Sequence, residues 1–235
     1  MPDYHYSYFV GSLLFLAAWV ILYSMNRKLR VQMLWGSGLS APFALMGSLF
    51  IPRYWSPPSL WNLDGRIGIG IEDIIFSVTT GGIAAALPQW LPGERHSPAR
   101  TISSGPQWMP LLVIVAAFVG LHQLFPAWPM YAMIASFSAG VSLIAIRRPD
   151  LRWRMARGTA VFTVFYVALF ACFLALYPDF VGRFYNTPNL LGWYLFGVPI
   201  EEVLFACSGS AVWSAIVNRP RLGSPLNRDS CPSTS

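Results

Sequence analysis

Residues 197–205 read "GVPIEEVLF", and the adjacent carboxylates Glu201 and Glu202 stand directly after a proline inside one of the most apolar stretches of the chain. The rest of the sequence shows how unusual that placement is. Of 235 residues, 55% are hydrophobic, 15% aromatic and only 11% charged, with a mean hydropathy of +0.50. So little polar surface does not suit a water-soluble globule of this length. It predicts an all-α integral membrane protein with about seven transmembrane helices. A crossing helix needs roughly 20 apolar residues, and the candidate stretches lie near 6–25, 31–51, 67–90, 109–125, 127–146, 159–177 and 191–217. The fourth and fifth meet at Pro126. The first follows "MPDYHYSY", which carries no Lys or Arg, so it predicts a retained helix rather than a secretory signal.

Basic residues collect in the cytoplasmic loops of membrane proteins. With the N-terminus outside and the C-terminus cytoplasmic, the cytoplasmic side holds Arg27, Lys28, Arg30, Arg95, Arg100, Arg147, Arg148, Arg152, Arg154, Arg157, Arg219, Arg221 and Arg228. The outside keeps Arg53, Arg66 and Arg183. Thirteen against three sets the orientation expected of a multi-pass cell-membrane protein, and it accounts for the net charge of +6 through lipid, without nucleic acid.

The "GVPIEEVLF" stretch has an earlier counterpart. Residues 68–76 read "GIGIEDIIF", so Gly, Ile, Glu, a second acid and Phe recur at matching places 129 residues apart. Each copy follows a polar and aromatic outer loop, "RYWSPPSLWNLDGR" or "YPDFVGRFYNTPN", and upstream of each comes a helix, a basic loop ("NRKLR" or "RRPDLRWR") and another helix. This predicts two parallel three-helix repeats, 1–90 and 127–218, joined by a loop and connector helix over 91–126 and followed by a disordered tail over 219–235. Spacing by four places Gly68, Glu72 and Phe76 on one stripe and Gly197, Glu201 and Phe205 on the other, with Asp73 and Glu202 about 100° round the helix. Pro199 marks a first turn or a break.

An acidic residue at mid-membrane costs roughly 2.5–3.5 kcal/mol, so four approach ~10 kcal/mol. That rivals the net stability of a domain, roughly 5–15 kcal/mol. Position near the outer interface, pairing with Arg66 or Arg183, or protonation would lower the cost. A duplicated acid pair at this depth marks Glu72, Asp73, Glu201 and Glu202 as candidate catalytic groups. A carboxylic acid in an apolar cavity can protonate an alkene, giving a tertiary cation that a second double bond of the same chain attacks to close a ring. A second carboxylate then takes a proton back. Such a cation needs π-faces, and Phe76, Phe205, Trp55, Trp61, Tyr185, Trp193 and Tyr194 are near the acids in sequence.

"GVPIEEVLF", with the preceding "YNTPNLLGWY", resembles the motif of the integral-membrane lycopene cyclase domain family, the non-flavin type with paired or fused repeats. The resemblance covers both repeats. It implies a cofactor-free, non-redox cyclisation of a polyene end group, with the acid pairs as catalytic residues. Phe76, Phe205, Tyr194, Asn186 and Trp61 are the expected substrate contacts. It further implies an isoprenoid substrate drawn from membrane lipid and association with other carotenoid enzymes. The first copy departs from the motif at Gly70 and Asp73, so the second copy is expected to hold the principal proton donor, with Glu72 and Glu201 coupled across a shared cavity.

Other classes fit less well. Membrane terpene cyclases acting on prenylated aromatic or peptide scaffolds share the acid chemistry. Small two-repeat sugar transporters share the architecture, but Pro88-Gln89 ends the third helix and has no partner in the second half. A retinal Schiff base needs a helix lysine, and the only Lys is Lys28, in a loop. Gly68 and Gly70 lack the third glycine and the strand of a dinucleotide site. His5, His96 and His122 are too scattered for a metal, and His122 is expected to be a satisfied polar residue. Cys172, Cys207 and Cys231 are expected to be packing residues.

Overall fold

The computed structural model describes residues 3–89 and 109–216. The expected tail over 219–235, Cys231, and the basic loop with Arg95, His96 and Arg100 lie outside the described residues. The chain is mostly helical. Among the described residues, five helices are long and apolar enough to cross a membrane: Tyr4–Met25, Arg30–Phe50, Ile71–Gln89, Pro129–Arg147 and Pro149–Leu176. Their regular portions are α1 (Ser7–Met25), α2 (Arg30–Ser40), α3 (Ile71–Ala86), α5 (Pro129–Arg147) and α6 (Arg152–Leu176). Two shorter helices complete the bundle, α4 (Met109–Leu124) and α7 (Ile200–Ile216).

The element boundaries follow local chemistry. Pro42 has no N–H to continue the α2 ladder, and the chain tightens into a 3-10 turn over Ala41–Met46 before one last helical turn, Gly47–Phe50. Between α4 and α5 the helix breaks at the Pro126 turn, and Pro129 opens α5 at a position where a missing N–H costs nothing. The stretch 191–217, expected to be one span, divides. Tyr194–Leu195 (β1) pairs antiparallel with Val198–Pro199 (β2), and the helix begins only at Ile200. The two residues between the strands, Phe196 and Gly197, have φ of 53° and 82°, the paired left-handed geometry of a tight hairpin turn. The third span likewise starts at Ile71 rather than 67.

The acidic helices are the innermost. α3 packs on α1 and α2, α7 packs on α5 and α6, and α3 and α7 pack on each other. α4 lies against α5. Small residues bring α2 onto α3: a Cβ added at Gly36 would sit 2.6 Å from the Gly81 carbonyl oxygen, and one at Gly81 would sit 2.0 Å from Ser40 Oγ. Such contacts drive association where lipid removes the hydrophobic advantage. Tyr8 opens α1 and reaches α3, and Tyr131 opens α5 and reaches α7, so both acidic helix starts share one end of the bundle.

Candidate active site

The two acid pairs differ because of the residue that precedes each helix. Before α3 stands Gly70, extended at φ −85° and ψ 155°. Its N–H donates to Asp73 Oδ2 at 2.9 Å, the backward half of a capping box. Asp73 Oδ1 accepts the Tyr8 hydroxyl. Before α7 stands Pro199, which has no N–H to donate. Glu202 therefore keeps both oxygens for other donors. Tyr54 and Tyr185 donate to Oε1 at 3.0 and 2.9 Å, and Tyr166 donates to Oε2 at 2.6 Å.

Three phenols thus satisfy both oxygens of one buried carboxyl group. A hydrogen bond to a charged group contributes roughly 1.5–3 kcal/mol, set against the several kcal/mol that burying an ion costs. The start of α7 adds a favourable dipole. Tyr54 and Tyr185 belong to the loops, where burial, and then the neighbouring Glu202, push their phenols well above the ordinary range. They stay protonated and remain donors.

Asp73 and Glu202 line one cavity of about 160 Å³ between the two halves, and only 7% and 5% of their surfaces are exposed. Its other walls are mostly aromatic and aliphatic, with Phe76 and Phe205 among them and Ser12, Ser40, Ser77 and Thr80 between. Those two rings stack with centroids 6.5 Å apart. Phe76 also meets Tyr166 edge-on at 6.3 Å, and Phe205 meets Phe137 at 5.9 Å. The cavity thus offers two carboxyl groups and several π-faces to a guest with no polar atoms.

Glu72 and Glu201 take another place. Both are fully buried, yet neither lines the cavity. Glu72 Oε1 accepts the Leu60 N–H at 2.7 Å. Glu201 Oε1 accepts the Leu191 N–H at 2.6 Å and the Tyr131 hydroxyl at 2.7 Å. The Oε2 of each is buried without a hydrogen-bond partner among the described residues. The stripe expectation is corrected accordingly. Each phenylalanine shares the cavity with the acid three residues before it, and the acid four residues before is turned to the loop, about 100° away. The Glu72–Glu201 pairing across a shared cavity therefore gives way to an Asp73–Glu202 pairing.

The loops of the two halves tie together over this end. Trp55 and Tyr185 form an isolated bridge, the Asn186 N–H donates to the Tyr54 carbonyl at 2.8 Å, and the Ser56 N–H donates to the Phe184 carbonyl at 2.7 Å. Asn186 also spends its side chain on the Arg53 carbonyl at 3.1 Å, with Asn189 beside it at 2.9 Å. Asn186 is therefore a loop tie, not a cavity wall. Trp61 and Tyr194 are 66% and 49% exposed and lie off the cavity. Arg183 reaches Asp179 at 3.6 Å and covers the Tyr4 ring, so it does not compensate the acid pairs. His122 stacks on Phe118, with Nε2 3.3 Å from Arg53. Cys207 accepts the Thr163 hydroxyl, while Cys172 is exposed. Tyr8, Tyr54 and Tyr166 escape sequence reasoning. They come from three separate elements, and no spacing links them to the acids.

Residues 128–219 match the family model described as lycopene cyclase. No curated protein and no solved structure matches the chain. The family match covers α5, α6 and α7 with the Tyr185 loop, and the helices that supply Asp73 and Tyr8 lie before it.

Proposed function

We propose that this chain, whose residues 128–219 form a lycopene cyclase domain, is a multi-pass membrane enzyme that closes a ring at the end of an acyclic carotenoid by proton transfer alone. The observation that carries this reading is the meeting of Asp73 and Glu202, one from each half, in a single aromatic cavity. In this reading the chain makes seven spans in two parallel repeats with the N-terminus outside, and the cavity lies near the outer membrane interface.

Asp73 is the proton donor. Around Gly70 three carboxyl groups converge: a Cβ there would meet Asp64 Oδ1 at 2.6 Å, Glu72 Oε2 at 2.8 Å and Asp73 Oδ2 at 3.2 Å. Three like charges crowded around one point oppose one another's ionisation, and we assign the resulting proton to Asp73. Transfer of that proton to the inner, singly substituted carbon of the terminal trisubstituted double bond breaks its π bond and leaves a tertiary cation on the outer, dimethyl-bearing carbon. The π electrons of the next suitable double bond form the new ring bond and move the cation into the ring. Phe76, Phe205 and Tyr166 face the charge, each cation–π contact contributing roughly 0.5–2 kcal/mol. Glu202, capped by its three phenols, acts as the base: it stabilises the cation and takes a proton from a carbon beside it, which restores a double bond. One proton enters and one leaves, so product and substrate are isomers.

Expression of the chain in a lycopene-accumulating bacterium, with chromatography of the extracted pigments, tests the proposal. The expected product has the mass of lycopene and absorbs at shorter wavelength, because ring closure removes or twists a conjugated double bond. Unchanged lycopene beside full-length inserted protein would overturn it.

A further inference from the structure

Cyclisation as proposed leaves Asp73 without its proton and Glu202 with an extra one, so each turnover requires a proton to be returned to Asp73. Asp73 is buried, and the cavity around it is apolar. Its hydroxyl neighbour Tyr8 is buried too. A return path must therefore pass through the cap that separates Asp73 from water.

That cap is the segment from Ser59 to Gly70. Trp61 and Asn62 both take left-handed backbone angles, φ 56° and 54°, a conformation that costs roughly 1–3 kcal/mol for a bulky residue. Anchors on both sides hold it: the Leu60 N–H on Glu72, and the Asp64 N–H on Ser59 Oγ at 3.2 Å. The turn delivers a short helix, Leu63–Ile67, whose Gly65, Arg66 and Ile67 are exposed while Asp64 is half-buried. The Asp64 carboxylate points inward: both oxygens are buried, neither has a hydrogen-bond partner among the described residues, and Oδ1 lies against the same point of Gly70 as Glu72 Oε2 and Asp73 Oδ2. Glu72, fully buried with Oε2 also unpartnered, closes the cluster from the α3 side.

We infer that Asp64 is the proton inlet of the active site, passing a proton from the water outside the Leu63–Ile67 helix to Asp73 after each ring closure. The inference rests on the cyclase reading and adds a residue to it. In each cycle Asp64 gives its proton to the Asp73 carboxylate and regains one from water at the loop face, and Glu202 releases its acquired proton to water, so protons balance. A glycine at position 70 is required here, because any side chain would occupy the space in which the three carboxyl groups meet. The groups that face Asp64 are Asp73, Glu72, Tyr8 and the Ser59 hydroxyl. Burial, and then the charges of Asp73 and Glu72, raise the Asp64 carboxyl to about 7. It therefore exchanges protons at neutral pH, and its charge turns on as pH rises through that value.

Asp64→Asn tests the inlet, with Asp64→Glu as the conservative control, in detergent or vesicles supplied with lycopene. Asparagine accepts and donates hydrogen bonds but carries no exchangeable acid proton. The first turnover, which uses the proton already on Asp73, should keep its rate, while the steady-state rate should fall roughly 10- to 100-fold. Small weak acids should restore it, the fall in activity near neutral pH should move, and Asp64→Glu should stay near wild type. Equal loss of the first and later turnovers would assign Asp64 a structural role and overturn the inlet. So would an unchanged steady-state rate and pH profile in Asp64→Asn. Absence of ring closure in the wild type would remove the cyclase reading itself, a separate outcome.

Discussion

Tyr166 alone occupies Oε2 of Glu202, whereas Tyr54 and Tyr185 share Oε1. Tyr166→Phe should therefore lower turnover about tenfold, the loss of one hydrogen bond to a charged group. Tyr54→Phe and Tyr185→Phe should each lower it less, because a second phenol remains on the same oxygen; turnover measured on purified variants checks the ranking. Glu201 calls for a different result. Glu201→Gln retains a carbonyl for the Leu191 N–H and the Tyr131 hydroxyl, so turnover should change less than tenfold. Glu201→Ala strands both donors and should destabilise the protein by roughly 1–3 kcal/mol, read from thermal unfolding in detergent. At this scale the sequence identified the four acids but not which two face inward. Adjacent helix positions differ by 100°, and the choice depends on tertiary packing. The substitution of Gly70 by Pro199, legible as a departure between the copies, has a physical meaning only with the structure: one N–H claims an Asp73 oxygen, and its absence frees Glu202 for three tyrosines. Tyr8 and Tyr131 hold matching places at the starts of α1 and α5, yet Tyr8 bonds the second acid of its half and Tyr131 the first. No sequence repeat foretells that difference in register.

Among the elements, the paired loops carry the next prediction. Asn186→Ala deletes a bond to the Arg53 carbonyl and leaves Asn189 as the remaining side-chain tie there. Amide hydrogen exchange should rise over residues 53–56 and 186–189, with little change in α3 and α7; unchanged exchange in the loops would show that the tie does not close this end. The α2–α3 seam should be less forgiving. Gly81→Val places atoms where the Ser40 side chain and the Gly36 carbonyl already stand, a clash that should cost roughly 1–3 kcal/mol. A Gly81→Val protein with wild-type thermal stability in detergent would mean that the seam is looser than described. Hydropathy located the helices well because lipid-facing and core-facing residues are alike apolar. It placed their ends poorly for the same reason. Leu191, Trp193 and Phe196 read as span, but they are exposed residues of a hairpin and the loop before it at the bundle end, and an apolar composition does not separate an interfacial turn from a helix. Pro42 interrupts the second span as proline should, and the 3-10 turn keeps the direction of the chain.

For the molecule as a whole, two unequal halves build one cavity. The half within the family match supplies Glu202, Tyr166 and Tyr185, and the half before it supplies Asp73, Tyr8 and Tyr54. The proposed division of roles follows the surroundings of each acid: a carboxyl cluster around Gly70 for the donor, a phenol cage for the base. Under that proposal the donor stands in the copy that departs from the motif, whereas the motif alone favours the other copy. The acids of such a site act as a unit, so the Asp73→Asn/Glu202→Gln double variant should lose much less than the product of the two single losses. The most direct measurement compares rings formed per inserted protein in lycopene-accumulating cells for Asp73→Asn, Glu202→Gln, Glu72→Gln and Glu201→Gln. The inner variants should each lose roughly 10²–10⁴ in ring formation while the outer two keep most of it. Full cyclisation by Asp73→Asn and Glu202→Gln, or loss confined to Glu72→Gln and Glu201→Gln, would contradict the shared inner pair.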